Sequence, residues 1–179
     1  MPISVLVPVA VFLAMGVVVV LSLWRIVVVG GEARRGTQSL RLASDVAHRA
    51  DGCLADLVAT VDALRHRRIR PDEAAEALAS GSAALWTLAT EARGATAQAG
   101  TPAVAELVSE LERAIRSLEL IDHGRELMEI EGGTAGEGET SIKRGYLNLI
   151  HSRDAIRLTG TEIRARSAAG SSSGVLGHR

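Results

Sequence analysis

The residues best suited to metal chemistry are histidines and carboxylates in the C-terminal half of the chain. Glu119, His123 and Glu126 lie in one stretch, and His151 and Asp154 in another. Metal sites in helical bundles need ligands that point inward, commonly a Glu-x-x-His pattern from two helices. Here Glu119 and His123 are four residues apart. A rotation of 100° per residue also places both histidines away from their apolar stripes. We therefore predict no metal and no cofactor.

No catalytic pattern is present in the sequence. The nucleophile elbow, the Walker A loop, the dinucleotide fingerprint and the zinc-protease motif are all missing. Cys53 is the single cysteine, so an intrachain disulfide is excluded. On a helix flank it is interpreted as a small packed hydrophobe in preference to a nucleophile. These observations predict a protein that is not an enzyme.

One dense basic run, RHRRIR at residues 65–70, has two interpretations. Arg65, Arg67, Arg68 and Arg70 either contact an anionic partner or form a solvated helix end whose cations favour the helix dipole. The second interpretation is preferred because no aromatic residue interleaves with the run. Trp86 is likewise either a margin of the core, which is preferred, or an anchor for a partner.

Composition argues against nucleic acid as the partner. The formal net charge is −1, and the only aromatic residues are two Trp, one Tyr and one Phe. A near-neutral chain has no general attraction to a polyanion, and so few aromatics cannot form a base-stacking surface. Lys143 is the only lysine. The preference for arginine suggests a GC-rich bacterial genome.

The N-terminal stretch predicts a membrane anchor at residues 1–30. Residues 3–29 are apolar with Arg25 as the only charge, and about 20 apolar residues suffice for a helix to cross a bilayer. A cleaved signal peptide is the alternative. It is disfavoured because it requires a basic start and a shorter apolar segment of about 7–15 residues.

The charges around this stretch predict its orientation. Met1 and Pro2 precede it without a cation, whereas Arg25 lies close to its C-terminal end, after the uninterrupted run 3–24, and Arg34 and Arg35 follow it. Lysine and arginine accumulate on the cytoplasmic side. We therefore expect a single-pass protein of the bacterial inner (plasma) membrane, with its N-terminus outside and its C-terminal domain in the cytoplasm.

After the anchor, apolar residues recur every three or four positions and predict four amphipathic helices. They are expected at about 36–68, 72–98, 102–130 and 140–166, within a domain at 31–166. The predicted core residues are Leu40, Ala43, Ala47, Ala50, Leu54, Leu57, Val61, Leu64, Leu78, Leu85, Leu88, Ala92, Val104, Leu107, Val108, Leu111, Ile115, Leu118, Ile121, Ile142, Tyr146, Leu149, Ile150, Ile156 and Ile163. A glycine-rich loop is expected at 131–140, and composition predicts a disordered tail at 167–179.

The predicted fold class is all-α: one transmembrane helix followed by an antiparallel up-down four-helix bundle with a coiled-coil-like pattern. This order places the turn at 65–70 about 50 Å from the bilayer, at the same end as five carboxylates: Glu126, Glu129, Glu131, Glu137 and Glu139. It also brings Arg164 and Arg166 to the bilayer surface, near Arg25, Arg34 and Arg35. These arginines are predicted to contact anionic lipids.

The functional expectation is a non-enzymatic scaffold or accessory protein at the cytoplasmic face of the membrane. It would bind membrane lipids and either a protein partner or a second copy of itself. Homo-oligomers are expected because the alanine-rich second helix, which contains Gly81, offers little apolar bulk to close a core. The alternative is a membrane-tethered signalling or regulatory module.

Overall fold

The computed structural model describes residues 36–129 and 135–172. Apart from Gly36, they belong to the second of two compact units of the chain. Within these ranges the protein is all-helical, with four helices and no strand. The helices are α1 (36–65), α2 (Pro71–Ala99), α3 (Pro102–Glu129) and α4 (Ala135–Ser172). The predicted helical bundle is thus confirmed for this part of the chain.

The predicted membrane anchor lies outside the described residues, as does the tail beyond residue 172. Among the helices of the described ranges, none combines the length and the apolar character that a membrane crossing needs. The anchor and its orientation therefore remain predictions from the sequence.

The core is built from buried residues that repeat every seven positions. In α4 the repeat consists of Ile142, Leu149, Ile156 and Ile163, all at most 3% exposed. A seven-residue apolar repeat is the spacing that lets helices pack along one seam. Every predicted core residue is buried except Leu40, Val108, Tyr146 and Ile150, which are partly exposed.

Neighbouring helices run antiparallel. Between α3 and α4, the backbone at Ser117 lies against Gly145, and the backbone at Gly124 lies against Gly138. Ion pairs connect other neighbours: Arg49 to Glu91 (α1 and α2), Arg93 to Glu112 at 2.8 Å (α2 and α3), and Asp51 to Arg153 at 3.0 Å (α1 and α4). Since α4 also contacts α1, the four helices close around one core.

Helix α4 is longer than the sequence predicts at both ends. It begins at Ala135, inside the expected loop, because Gly138 is buried against the α3 backbone and acts as a packing residue. It continues to Ser172, six residues beyond the predicted end at 166, and Ser167 is still buried at 8% exposure. Composition predicts a flexible loop before α4 and a disordered tail after it, but packing against the bundle keeps the chain helical at both ends.

The alanines of α2 fill the core through close approach. Ala74, Ala89 and Ala92 are fully buried, and a Cβ on Gly81 would overlap the side chain of Leu57 on α1. Small residues allow helix axes to come closer, so bulk is not needed to exclude water. The alanine content of α2 therefore gives no reason for a second chain, and self-association stays a prediction.

The junction between α2 and α3 follows the sequence signals with one difference. Gly100 has a φ of +58° and ends α2, and Pro102 is the first residue of α3, as predicted. A threonine that directly precedes a helix commonly caps it, but the hydroxyl of Thr101 is buried without a hydrogen-bond partner among the described residues. The amide of Val104 instead donates to the carbonyl oxygen of Thr101 at 3.1 Å, so the expected side-chain cap does not form.

Candidate functional site

A cavity of about 210 Å³ lies where the C-terminal ends of α1 and α3 meet the N-terminal part of α4. Its apolar surface comes from Leu64, Met128 and Ile142, one from each of the three helices. This end of the bundle is the one remote from residue 36. We call it the distal cavity.

The charged side chains around the distal cavity are unbalanced. Arg65, Arg67 and Lys143 are cationic, and Glu139 is the one carboxylate among the lining residues that the structure describes. Arg67 and Glu139 form an ion pair at 3.8 Å with side chains 83% and 64% exposed. A pair this long and this exposed contributes little, so Glu139 is only a weak partner for the cations that line the cavity.

Arg67 is held in an unusual backbone conformation. It has a φ of +54°, the left-handed region that side-chain-bearing residues seldom adopt. Its amide donates to the Leu64 carbonyl at 3.0 Å, and the amide of Arg68 donates to the Ala63 carbonyl at 2.8 Å. These two bonds form a Schellman motif, in which glycine is usual at the position that Arg67 occupies.

The other two cations remain available to an anion. The Arg65 guanidinium lies 4.6 Å from the centre of the Tyr146 ring, a cation–π contact that positions the charge without neutralising it. Lys143 is exposed and makes no ion pair in the described part of the chain. The arrangement therefore offers several donors to a negatively charged group.

The rest of the basic run is neutralised locally. Arg68, in the turn after α1, pairs with Asp62 of α1, and Arg70 pairs with Asp72 at 2.9 Å and with Glu73 at 3.3 Å. The amide of Arg70 also donates to Glu73 at 3.4 Å, at the start of α2. Of the four arginines that the sequence proposed as partner contacts, only Arg65 and Arg67 line the cavity.

Sequence reasoning missed Lys143 and Tyr146 as parts of this site. It placed the basic turn and Glu139 at the same end of the bundle, where Glu139 is indeed close to Arg67. The available signal was position: Lys143 is one turn after Glu139, and Tyr146 follows three residues later. Both therefore lie on the part of α4 that the antiparallel order brings to this end.

At the opposite end, the predicted lipid contacts are only partly described. Arg25, Arg34 and Arg35 lie outside the described residues. Arg164 is exposed and lines a second cavity of about 210 Å³, and Arg166 pairs with Glu162 at 2.6 Å. These two arginines are therefore on the C-terminal part of α4, as the sequence predicts, and their lipid contact stays a prediction.

Trp86 lies outside the core. Its side chain is 49% exposed, and the Arg93 guanidinium lies 5.5 Å from the ring centre. Arg93 is itself held at 2.8 Å by Glu112 of α3. The indole is therefore an exposed aromatic surface on α2, and it is not the core margin that the sequence favoured.

The remaining candidates for chemistry do not converge. His123 and His151 are exposed, and no group of three or more possible metal ligands occurs in residues 36–129 and 135–172. Burial, and secondarily nearby Asp56, raises the pKa of the Cys53 thiol above its ordinary value. Since the thiolate is the reactive form, this environment suppresses nucleophilic chemistry.

Comparison with known proteins adds no assignment: no family model, no curated protein and no solved structure matches this chain.

Proposed function

We propose that this chain is a non-catalytic scaffold or accessory protein. Residues 3–29 anchor it in the bacterial inner membrane, and its cytoplasmic bundle binds a protein partner or a second copy. The proposal combines the apolar N-terminal sequence with the surface of a bundle that already has a closed core.

The exposed indole of Trp86 carries the proposal. The core includes residues from all four helices without Trp86, so folding does not account for this large side chain. Tryptophan and arginine are the residues most enriched among those that dominate binding energy at interfaces. The contact with Arg93, which itself pairs with Glu112, favours one position of the ring and so lowers the entropy cost of binding.

Photocrosslinking in native membranes tests this function. A benzoylphenylalanine at position 86 of the full chain is expected to capture a defined protein species, which mass spectrometry identifies. The control position is Ala77, which is also exposed and lies about 180° around the same helix. Equal capture from both positions, or none from position 86, would contradict the proposal.

The identity of the captured species separates the alternatives. A second copy of this chain indicates self-association, and a structural membrane protein indicates a scaffold. A neighbouring kinase or channel would instead favour a membrane-tethered regulatory module.

A further inference from the structure

We infer that the distal cavity binds an acidic segment of the protein partner, specifically a carboxylate next to an apolar side chain. The inference rests on the proposed function, because it states the chemistry of the partner at one end of the bundle. It is carried by three cations placed around an apolar surface.

The two halves of the cavity fit two halves of one ligand. Leu64, Met128 and Ile142 form an apolar surface that removes hydrocarbon from water. Arg67 and Lys143 lie at its edge and donate charge-assisted hydrogen bonds, which carboxylates accept well. A ligand with an anionic group and an adjacent apolar group uses both, whereas a neutral ligand leaves the cations unused.

The size of the cavity favours a peptide. A volume of about 210 Å³ is below the range of about 300–1,000 Å³ typical of small-molecule pockets, and it suits one or two side chains. Arg65 already lies over the ring of Tyr146, the aromatic residue near this end, so that face of the ring is not available for stacking with a nucleobase. An extended acidic segment can instead place one residue inside and continue along the surface.

The protein supplies its own weak competitor. Glu139 sits at the edge of the cavity, 3.8 Å from Arg67, where a ligand carboxylate would bind. Because this internal pair is long and exposed, an external carboxylate with better geometry displaces it at low cost. Arg67 also keeps a strained backbone at this position, and strained residues cluster at ligand sites.

A peptide titration tests the inference. The full chain in detergent micelles is titrated with a fluorescein-labelled peptide of alternating leucine and glutamate, capped at both ends. The comparison peptide has glutamine in place of each glutamate. We expect the acidic peptide to bind and the glutamine peptide to bind at least tenfold more weakly. Binding should weaken as salt is raised.

Variants assign the binding to the cavity. Lys143→Gln and Arg67→Asn should each lower affinity about fivefold, the size of an exposed ion pair. Asparagine is chosen for position 67 because it tolerates a positive φ. Arg144→Gln is the matched control, since it removes a neighbouring exposed charge that does not line the cavity. Glu139→Gln should raise affinity about twofold by removing the competitor.

Several results would overturn the inference. These are no binding of the acidic peptide, equal binding of the glutamine peptide, or equal losses for Lys143→Gln and Arg144→Gln. Displacement of the peptide by phosphatidylglycerol vesicles, with the same dependence on Lys143, would assign the cavity to lipid headgroups.

If photocrosslinking at position 86 captures a protein while the peptide test fails, the proposed function stands without this inference. If the acidic peptide binds but position 86 captures no protein, the proposed function is contradicted, and the binding of acidic peptides at the cavity stands without it.

Discussion

Gly124 of α3 and Gly138 of α4 face each other with no room for a side chain on either. A Cβ atom on Gly124 would lie 2.8 Å from the carbonyl oxygen of Gly138, and one on Gly138 would lie 2.6 Å from the carbonyl oxygen of Gly124. Both obstacles are backbone atoms, which cannot rotate away as a side chain can. The two glycines therefore set the distance between α3 and α4 at this end of the bundle.

Alanine at either position should destabilise the bundle. We expect Gly124→Ala and Gly138→Ala to lower the free energy of unfolding by about 1–3 kcal/mol, because the helices must separate to admit a methyl group. Urea unfolding of the full chain, followed by circular dichroism at 222 nm, measures the loss.

Two other glycines provide the matched control. A Cβ on Gly52 or Gly94 would meet no atom within 4 Å. Alanine there should raise stability by about 0.5–1 kcal/mol, since glycine costs that amount inside a helix. If Gly124→Ala behaved like Gly52→Ala, the close approach of α3 and α4 would be wrong.

Arg67→Gly should stabilise the chain. Arg67 has a φ of +54°, and a left-handed conformation costs a residue with a Cβ about 1–2 kcal/mol. Removing the weak pair with Glu139 offsets little of this gain. The midpoint of urea unfolding should therefore rise. Arg68→Gly serves as the comparison and should give no gain in stability. Among the described residues, Arg67 is the one non-glycine residue with a positive φ, so Arg68 has no such strain to relieve.

Ser152→Ala should also stabilise the chain. Its hydroxyl is fully buried in α4 without a hydrogen-bond partner among the described residues, a state that costs about 1–3 kcal/mol. Ser117→Ala is the control. It is equally buried, but its hydroxyl donates to the Arg113 carbonyl at 2.8 Å. Calorimetric melting should show a larger gain for Ser152→Ala, and equal changes would indicate that the Ser152 hydroxyl is satisfied.

Cys53 should react slowly and make stability fall at high pH. Burial, followed by Asp56, raises the pKa of the folded thiol, so above the ordinary pKa the unfolded chain releases a proton that the folded chain retains. Stability is therefore full below the unfolded pKa and declines as pH rises through it. Ellman's reagent at pH 8 should label the native chain much more slowly than the urea-unfolded chain. Cys53→Ser should remove this contribution to the pH dependence, and fast native labelling would contradict it.

The topology prediction concerns residues 3–29 and the arginines that follow them. A fluorescent protein fused after Arg179 should fluoresce in the cytoplasm, and alkaline phosphatase fused at the same point should be inactive. Replacing Arg25, Arg34 and Arg35 by glutamine should give mixed orientations, because these are the main cations near the apolar stretch. Active phosphatase in the unmodified chain would reverse the assignment.

The sequence predicts the helices and the core well because both follow from one periodic signal. Spacing alone predicts Leu54, Ile115 and Ile156 as core residues, and each is at most 2% exposed. A glycine in the sequence can indicate either a loop or a close contact between helices, and spacing alone does not distinguish the two. Gly138 suggested a loop, yet it is a packing residue in α4, because only the facing backbone reveals why a side chain is excluded.

The distal cavity was predictable only in part for a similar reason. The up-down order of the helices places the basic turn at the same end of the bundle as the start of α4, because that order depends only on the number of helices. The partners of individual arginines depend on local geometry instead. Nothing in the spacing separates Arg68, which pairs with Asp62, from Arg67, which lines the cavity.

The closure of α4 onto α1 has a consequence for how the chain folds. The pairs α1–α2, α2–α3 and α3–α4 join neighbours along the sequence, whereas Asp51 and Arg153 are 102 residues apart. Contacts of short range form quickly, and a long chain segment must be closed before α1 and α4 meet. The distal cavity takes residues from α1 and α4, so it is complete only when these two helices have docked, and we expect this docking to be the slowest step. A ligand of the cavity would thus select fully assembled chains over partly folded ones.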